Sequence, residues 1–198
     1  MRYSKFLFLT FAAVGANALY AQQQTADESR RSVELSLSNE AGEVRYNAPS
    51  SFGGRPDTQA SYAVFLSEDR DIVGSGALYF DTDLDFGPLQ VRLGPQAYAA
   101  LLNEENEDVF ALAISGTIRY ELVKSRGIAL TGSANWSPDI LTFGSADNLT
   151  DFMARAEMRL SDKVIGFAGY RWFRLDLTNA DRKTLQNEIF AGIHWELK

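Results

Sequence analysis

Residues 108–122 read DVFALAISGTIRYEL, and this stretch decides the fold of the chain. One set of alternate positions, from Phe110 to Leu122, is apolar or aromatic apart from Gly116. The intervening set becomes polar along the segment and ends on Arg119 and Glu121. A period of two residues is typical of a β-strand with one apolar and one polar face. The segment therefore predicts a long strand that lies at a boundary between two environments.

The same alternation recurs along the chain and predicts eight antiparallel strands. It is clear in most segments, but the phase is ambiguous in residues 59–66, 72–80 and 164–175. In the last of these we assign Tyr170 and Trp172 to the outer face, which turns Arg171 inward. The predicted strands cover residues 59–66, 72–81, 88–102, 108–122, 127–137, 149–160, 163–176 and 184–197.

Residues 32–46 leave the number of strands open. Residues 33–37 alternate, residues 39–42 read as a turn, and Val44 and Tyr46 follow in alternation. This segment could add a hairpin and give ten strands, or it could lie in or under the sheet. Single-chain bacterial barrels have even strand numbers, which both counts satisfy. The length of the chain favours eight strands.

Alternation also occurs in soluble β-sandwiches, and three further features favour a transmembrane barrel. The strands are long, and tight turns (residues 124–126 and 161–162) alternate with longer polar loops, as in outer-membrane barrels. The charges collect on one strand face, and aromatic residues lie near strand ends, as in interfacial girdles. We therefore predict an all-β antiparallel transmembrane barrel with both chain ends on the periplasmic side. The aromatic residues are Phe80, Phe86, Tyr98, Tyr120, Trp136, Phe152, Trp172, Phe173 and Trp195.

The N-terminus resembles a secretory signal peptide. Arg2 and Lys5 precede an apolar run over residues 6–14, and small residues follow. Cleavage could follow Ala18 or Ala21, and we favour Ala21 because polar glutamines come next. This divides the chain into a signal peptide (1–21), a flexible segment (22–31) and one barrel domain (32–198). The protein is expected to be exported to the bacterial outer membrane.

The composition excludes several classes of function. The 198 residues include 19 Lys and Arg against 26 Asp and Glu, so the basic footprint of a nucleic-acid-binding protein is missing. The absence of Cys removes disulfides, Cys–zinc sites and thiol nucleophiles. A single His is too few for a multi-His metal site. After the N-terminus no run of 18 apolar residues occurs, which argues against transmembrane helices. We expect no metal and no cofactor.

A succession of short segments resembles the YfaZ family of bacterial outer-membrane proteins. It consists of VELSLS (33–38), GPL (87–89), WSPD (136–139) before a polar loop, and AGYRW (168–172). The order and spacing of these segments carry the resemblance, which covers nearly all of the exported chain. The resemblance implies a small porin-like barrel with no known biochemical activity, and it supplies no catalytic residues.

The C-terminal segment GIHWEL (192–197) is similar to the signal that the outer-membrane insertion machinery reads. Gly192, Trp195 and Leu197 are the residues that we assign to this signal. The segment departs from the pattern because Phe190 occupies a position where a polar residue is expected, and because the chain ends on Lys198 instead of an aromatic residue.

Charged residues on the predicted inner face are the candidate functional set. Buried charges need partners because desolvation is costly, so these residues are expected to fill the lumen as an Arg/Glu network. The alternative is a selective pore, because rings of charge set ion preference. The set comprises Arg92, Arg119, Glu121, Arg155, Glu157, Arg159, Arg171, Glu188 and His194, together with Glu34 and Glu196.

Two rival functions rest on other residues. Ile140, Leu141 and Phe143 lie in a polar loop that we place over the external mouth, where it could cover a small apolar ligand. His194 could act as the base of a lipid-modifying enzyme, although no serine lies in a recognisable nucleophile elbow. The leading hypothesis is a non-enzymatic, porin-like barrel with a structural role or slow passage of ions and small solutes.

The expected partners follow from the predicted location. They are outer-membrane lipid, lipopolysaccharide and, during assembly, the insertion machinery. We expect a monomer and no nucleic-acid partner.

Overall fold

The computed structural model describes residues 31–54, 58–82, 88–103, 107–178 and 182–197. The signal peptide predicted over residues 1–21, and residues 22–30 of the segment that follows it, lie outside these ranges. Within the ranges, no helix is both long and apolar enough to cross a membrane. The strands are β1 (Ser32–Leu37), β2 (Ala41–Ser50), β3 (Thr58–Ser67), β4 (Ile72–Asp81), β5 (Leu89–Leu102), β6 (Glu107–Val123), β7 (Ile128–Ser137), β8 (Thr142–Gly144), β9 (Ala146–Arg159), β10 (Val164–Leu177) and β11 (Lys183–Glu196).

Ten of these strands close into one antiparallel barrel. Each barrel strand pairs with the next one along the chain, and β11 pairs with β1 to complete the ring. The predicted barrel is confirmed, with the alternative count of ten strands. The favoured count of eight is wrong because residues 32–50 form the hairpin β1–β2. In the closed ring this hairpin lies between β11 and β3, because β1 pairs with β11 and β2 pairs with β3.

The start of β1 and the end of β11 lie at one end of the barrel, where Ser32 is opposite Glu196. We call this the termini end and the opposite one the far end. The expected alternation of short turns with long loops is wrong, because the far-end turns after β1 and β3 are as short as any. The termini-end connections span residues 51–57, 82–88, 124–127 and 160–163, and the far-end connections span residues 38–40, 68–71, 103–106, 138–145 and 178–182.

Strand alternation separates an apolar outer face from the lumen. On β6, Phe110, Ile114 and Ile118 are exposed, whereas Ala111 and Ala113 are buried. Every barrel strand places at least one large apolar residue on the outer face. A closed ring with an apolar outer wall satisfies the backbone inside a bilayer. This architecture is that of an outer-membrane β-barrel protein.

The aromatic residues near strand ends divide between the two faces. Tyr120, Trp136, Phe152 and Trp195 are exposed on the outer face, and Phe152 stacks on Trp172 with ring centroids 5.8 Å apart. Two assignments to an interfacial girdle are wrong, because Tyr98 and Phe173 point into the lumen and are buried. The phase of each residue in the strand alternation sets the direction of its side chain, and closeness to a strand end does not. Phe86 lies outside the described residues.

Candidate functional site: a polar cavity in the barrel lumen

The far half of the lumen is filled by packed apolar side chains, which we call the apolar layer. Leu149, Phe173 and Leu175 have no exposed surface. The Phe173 ring contacts those of Phe65 and Tyr98, with centroids 5.6 and 5.8 Å apart. The members are Phe65, Val73, Tyr98, Ala100, Leu102, Val109, Ala111, Ala113, Ala146, Leu149, Phe173, Leu175, Leu177 and Leu185.

Arg171 lies directly beneath the apolar layer. Its Nε and Nη2 donate to the two carboxylate oxygens of Asp151 at 2.8 and 2.9 Å, and its Nη1 donates to Glu43 Oε2 at 2.7 Å. The guanidinium carbon lies 4.8 Å from the ring centroid of Phe173 and 5.2 Å from that of Phe65. One arginine therefore holds two buried carboxylates and contacts two aromatic rings of the layer.

The carboxylates around Arg171 have further donors. The Tyr98 hydroxyl donates to Asp151 Oδ2 at 3.0 Å, and the Asn135 amide donates to the same oxygen at 3.3 Å. Arg45 donates its Nε and Nη2 to Glu43 Oε1 at 3.0 and 2.7 Å. These contacts satisfy the charges at mid-lumen, as burial requires.

A second cluster lies nearer the termini end and centres on Arg155. Its Nη1 donates to Glu34 Oε2 at 2.7 Å, and its Nε donates to Glu157 Oε1 at 2.9 Å. The guanidinium carbon lies 4.5 Å from the ring centroid of Phe167. His194 Nδ1 lies 3.0 Å from Glu34 Oε1. The single histidine thus points into the lumen, against a carboxylate that Arg155 already neutralises.

Four further ion pairs, formed by three arginines, lie between this cluster and the rim of the termini end. They are more exposed than the mid-lumen pairs, and the Arg92 and Asp81 side chains are 35% and 41% accessible. The pairs are Arg119 with Glu121 (2.9 Å) and Glu157 (3.3 Å), Arg92 with Asp81 (2.7 Å), and Arg159 with Glu196 (3.4 Å).

The side chains of the termini half surround a cavity of about 360 Å³. All ten barrel strands contribute to its lining. The Arg171–Asp151 pair forms its floor, and the lining reaches Ser32, Gln90 and Glu196 near the termini end. The lumen is thus divided into a packed apolar half and a hollow polar half.

The structure brings most of the predicted lumen residues to this cavity. Arg92, Arg119, Arg155, Glu157, Arg171 and His194 line it, and Glu121 contacts Arg119 without lining the cavity itself. Glu188 is elsewhere: it accepts hydrogen bonds from the backbone N–H groups of Asn39 and Glu40 at 3.3 and 3.2 Å. Its carboxylate therefore closes the β1–β2 turn at the far end.

Sequence reasoning missed three residues of the mid-lumen network, Glu43, Arg45 and Asp151. Glu43 and Arg45 alternate with Val44 and Tyr46, so the signal is present within residues 32–46, the segment for which the sequence leaves the number of strands open. Asp151 precedes Met153 by two residues and shares its phase on β9. Following the alternation through both segments would have identified all three.

The loop predicted to lie over the mouth instead extends the barrel wall. Residues 142–144 form β8, which pairs with the part of β6 that reaches beyond β7, with Phe143 opposite Phe110. Their rings lie 6.2 Å apart on the outer face, and Ile140 is 81% exposed. Leu141, between them, lies in the single turn before β8. The part of β6 that extends beyond β7 has backbone N–H and C=O groups that need hydrogen-bond partners, and β8 supplies them.

The C-terminal segment forms the closing strand of the ring. Trp195 is exposed on the outer face, and the Leu197 N–H donates to the Arg31 carbonyl at 2.7 Å. A Cβ at Gly192 would lie 2.3 Å from the Leu35 carbonyl oxygen and 2.5 Å from the Phe167 ring, so only glycine fits. Phe190, where a polar residue was expected, is buried in the lumen against Phe167. The role of this segment in insertion stays a prediction.

Within the part of the chain that the structure describes, no group of three or more His, Asp and Glu side chains could hold a metal ion. The carboxylates of the cavity are engaged with guanidinium groups instead.

Comparison with known proteins identifies a family for the chain. Residues 10–196 match the sequence model of a family described as YfaZ precursor. No curated protein matches the chain.

Solved structures with a similar fold include three outer-membrane proteins. A bacterial polysaccharide outer membrane secretin is 14% identical, with 87% of this chain and 66% of that one covered and a TM-score of 0.49. The KdgM porin, solved in complex with disordered oligogalacturonate, is 6% identical (85% and 99% covered, TM-score 0.47). The NanC porin is 10% identical (86% and 100% covered, TM-score 0.43). The chain thus spans about two thirds of the length of the secretin, and these likenesses concern the fold alone.

Proposed function

The chain belongs to the YfaZ family, and from this premise we propose that it is a porin-like outer-membrane barrel, without catalytic activity, whose lumen is closed at rest. The single observation that carries the proposal is the apolar layer. Its three aromatic side chains are at most 2% exposed, and its members come from strands around most of the ring. Its roles would be to reinforce the envelope and to pass ions or small solutes slowly.

The physics of the apolar layer supports slow passage. An ion that enters from the termini end meets the Arg171–Asp151 pair and then the rings of Phe65 and Phe173. Moving a charge into such surroundings without compensating contacts costs several kcal/mol or more, and narrow apolar constrictions exclude water. Passage would therefore require the side chains of the layer to move apart.

Planar-bilayer conductance of the refolded protein tests the proposal. We expect the wild type to be silent or to open rarely, and a variant with Phe65→Ala and Phe173→Ala to open often. The matched control is Phe110→Ala, which removes a phenyl ring from the lipid-facing side of β6 and should behave as the wild type does. Frequent, large openings of the wild type would overturn the proposal, whatever the variants do. Heat-modifiable gel migration verifies that each protein is folded.

The two rival functions receive less support. Beneath the loop that contains Phe143, the lumen is occupied by side chains of the apolar layer, including Ala111 and Leu149, which have no exposed surface. The polar contact of His194 goes to Glu34, and Glu188, six residues earlier on β11, accepts hydrogen bonds from the β1–β2 turn instead. Unchanged lipid profiles in a His194→Ala strain would agree with a barrel that has no lipid-modifying activity.

The setting in the membrane is part of the same proposal. We place the termini end in the periplasm, after export and removal of residues 1–21. The barrel would be a monomer, assembled by the outer-membrane insertion machinery and surrounded by lipid and lipopolysaccharide.

A further inference from the structure

We infer that the polar cavity is a binding site for a small neutral saccharide or a chemically similar polyol. The inference goes beyond the proposed function and rests on it in one respect, because the closed apolar layer leaves the termini end as the entrance. The volume of about 360 Å³ lies within the range of roughly 300–1,000 Å³ that is usual for small-molecule sites.

The charges around the cavity argue for a neutral ligand. Each charged side chain of the lining has an ionisable partner of opposite type with a nitrogen–oxygen distance of 3.4 Å or less. An incoming ion would have to break one of these pairs, and an unpaired buried charge is costly. A solute without charge can enter and leave all of them intact.

One wall of the cavity carries neutral polar side chains that are available to form hydrogen bonds with a ligand. Gln90 on β5, Thr117 on β6 and Ser133 on β7 are half-buried. Their side chains make no hydrogen bond to any part of the protein that the structure describes. Thr117 is directly opposite Ser133 in the sheet, which places their side chains about 4.5–5.5 Å apart. An amide and two hydroxyls can both donate and accept, as the hydroxyl groups of a sugar do.

An apolar surface adjoins this polar wall. Met153 on β9 is directly opposite Ser133 and also lines the cavity, as does Ile165 on β10. A saccharide ring has hydroxyls along its edge and C–H groups on its faces, so it can contact both surfaces at once. A purely apolar ligand would leave the three polar groups without partners, which costs free energy.

Saturation-transfer NMR on the detergent-solubilised, folded protein tests the inference. The probes are maltose (neutral), glucuronate (anionic) and glucosamine (cationic). We expect maltose to give a saturable signal and the two charged probes to bind more weakly.

Two adjacent residues of β7 provide a matched pair of variants. Ser133→Phe fills the cavity, whereas Ala134→Phe adds the same ring to the outer face, where Ala134 is exposed. We expect maltose binding to weaken by about tenfold or more in the first variant and to be unchanged in the second. Thr117→Val, which keeps the shape but removes the hydroxyl, should weaken binding by about two- to tenfold. If Ser133→Phe does not fold, the effect of Thr117→Val on maltose binding tests the site instead.

Three outcomes would overturn the inference: no saturable maltose signal, tighter binding of glucuronate than of maltose, or equal losses in the two phenylalanine variants. The binding assay needs no bilayer, so it fails independently of the conductance test. A conducting wild type that still binds maltose would overturn the proposed closure and leave the saccharide site standing.

Discussion

The two halves of the lumen are filled in different ways, and the difference shows what each half can do. The far half is packed with apolar side chains, whose burial stabilises the fold directly. The termini half is spanned by arginine–carboxylate pairs, in which Coulomb attraction mainly offsets the cost of desolvation. Ten strands enclose a wider lumen than eight, which side chains would nearly fill. Long charged side chains bridge this wider lumen and leave a cavity between them.

Breaking the ion pair at the junction of the two halves should have the largest effect. Arg171→Ala would leave Asp151 buried without its bidentate partner and would remove one partner of Glu43. Loss of one member of a buried pair costs about 3–5 kcal/mol. We therefore expect the free energy of unfolding, measured by urea titration in phospholipid vesicles, to fall by about that amount.

A second variant sharpens this test. Asp151→Asn in the Arg171→Ala background removes the uncompensated charge and should recover part of the lost stability. If Arg171→Ala costs less than about 1 kcal/mol, the value of a solvent-exposed pair, water reaches mid-lumen and the proposed separation of the two halves is wrong.

A truncation in the apolar layer should have a similar or slightly smaller effect. Leu149 has no exposed surface, and Leu→Ala changes at such positions cost about 2–5 kcal/mol, including the cavity that they leave. Leu130→Ala is the control, because Leu130 faces lipid from β7 and is about half exposed. Urea unfolding in vesicles should show a clearly larger loss for Leu149→Ala. Equal losses would mean that the layer is loosely packed.

Most of the fold could be predicted from the sequence, because a membrane barrel imposes alternation on every strand. The predicted bounds of the later strands lie within a few residues of the observed ones, as for residues 108–122 against Glu107–Val123. The strand alternation also predicted correctly that Arg171 points inward, although both faces of β10 are rich in aromatic residues. The number of strands could not be predicted, because β1 has only six residues and its hairpin gives a short signal.

The candidate site was less predictable, because alternation shows which side chains face inward but not how far along the lumen they lie. Glu188 and Arg171 are opposite each other in the register of β10 and β11. Nevertheless Glu188 accepts from the β1–β2 turn, whereas Arg171 binds Asp151 and Glu43. The choice of partner depends on the three-dimensional arrangement of all ten strands. The division into an apolar and a polar half also emerges only when those strands are stacked in register.

Breaking the ion pair at the rim of the termini end should have the smallest effect on stability, because this pair is exposed to water. Arg92 binds Asp81 at 2.7 Å, but both side chains are more than a third accessible to solvent. Water screens such a pair, so Arg92→Ala should lower the free energy of unfolding by less than about 1 kcal/mol. The difference from wild type should shrink further in 1 M salt, where the Debye length is only about 3 Å. A loss as large as that of Arg171→Ala, unaffected by salt, would show that the rim is as dry as mid-lumen and that the cavity is sealed at both ends.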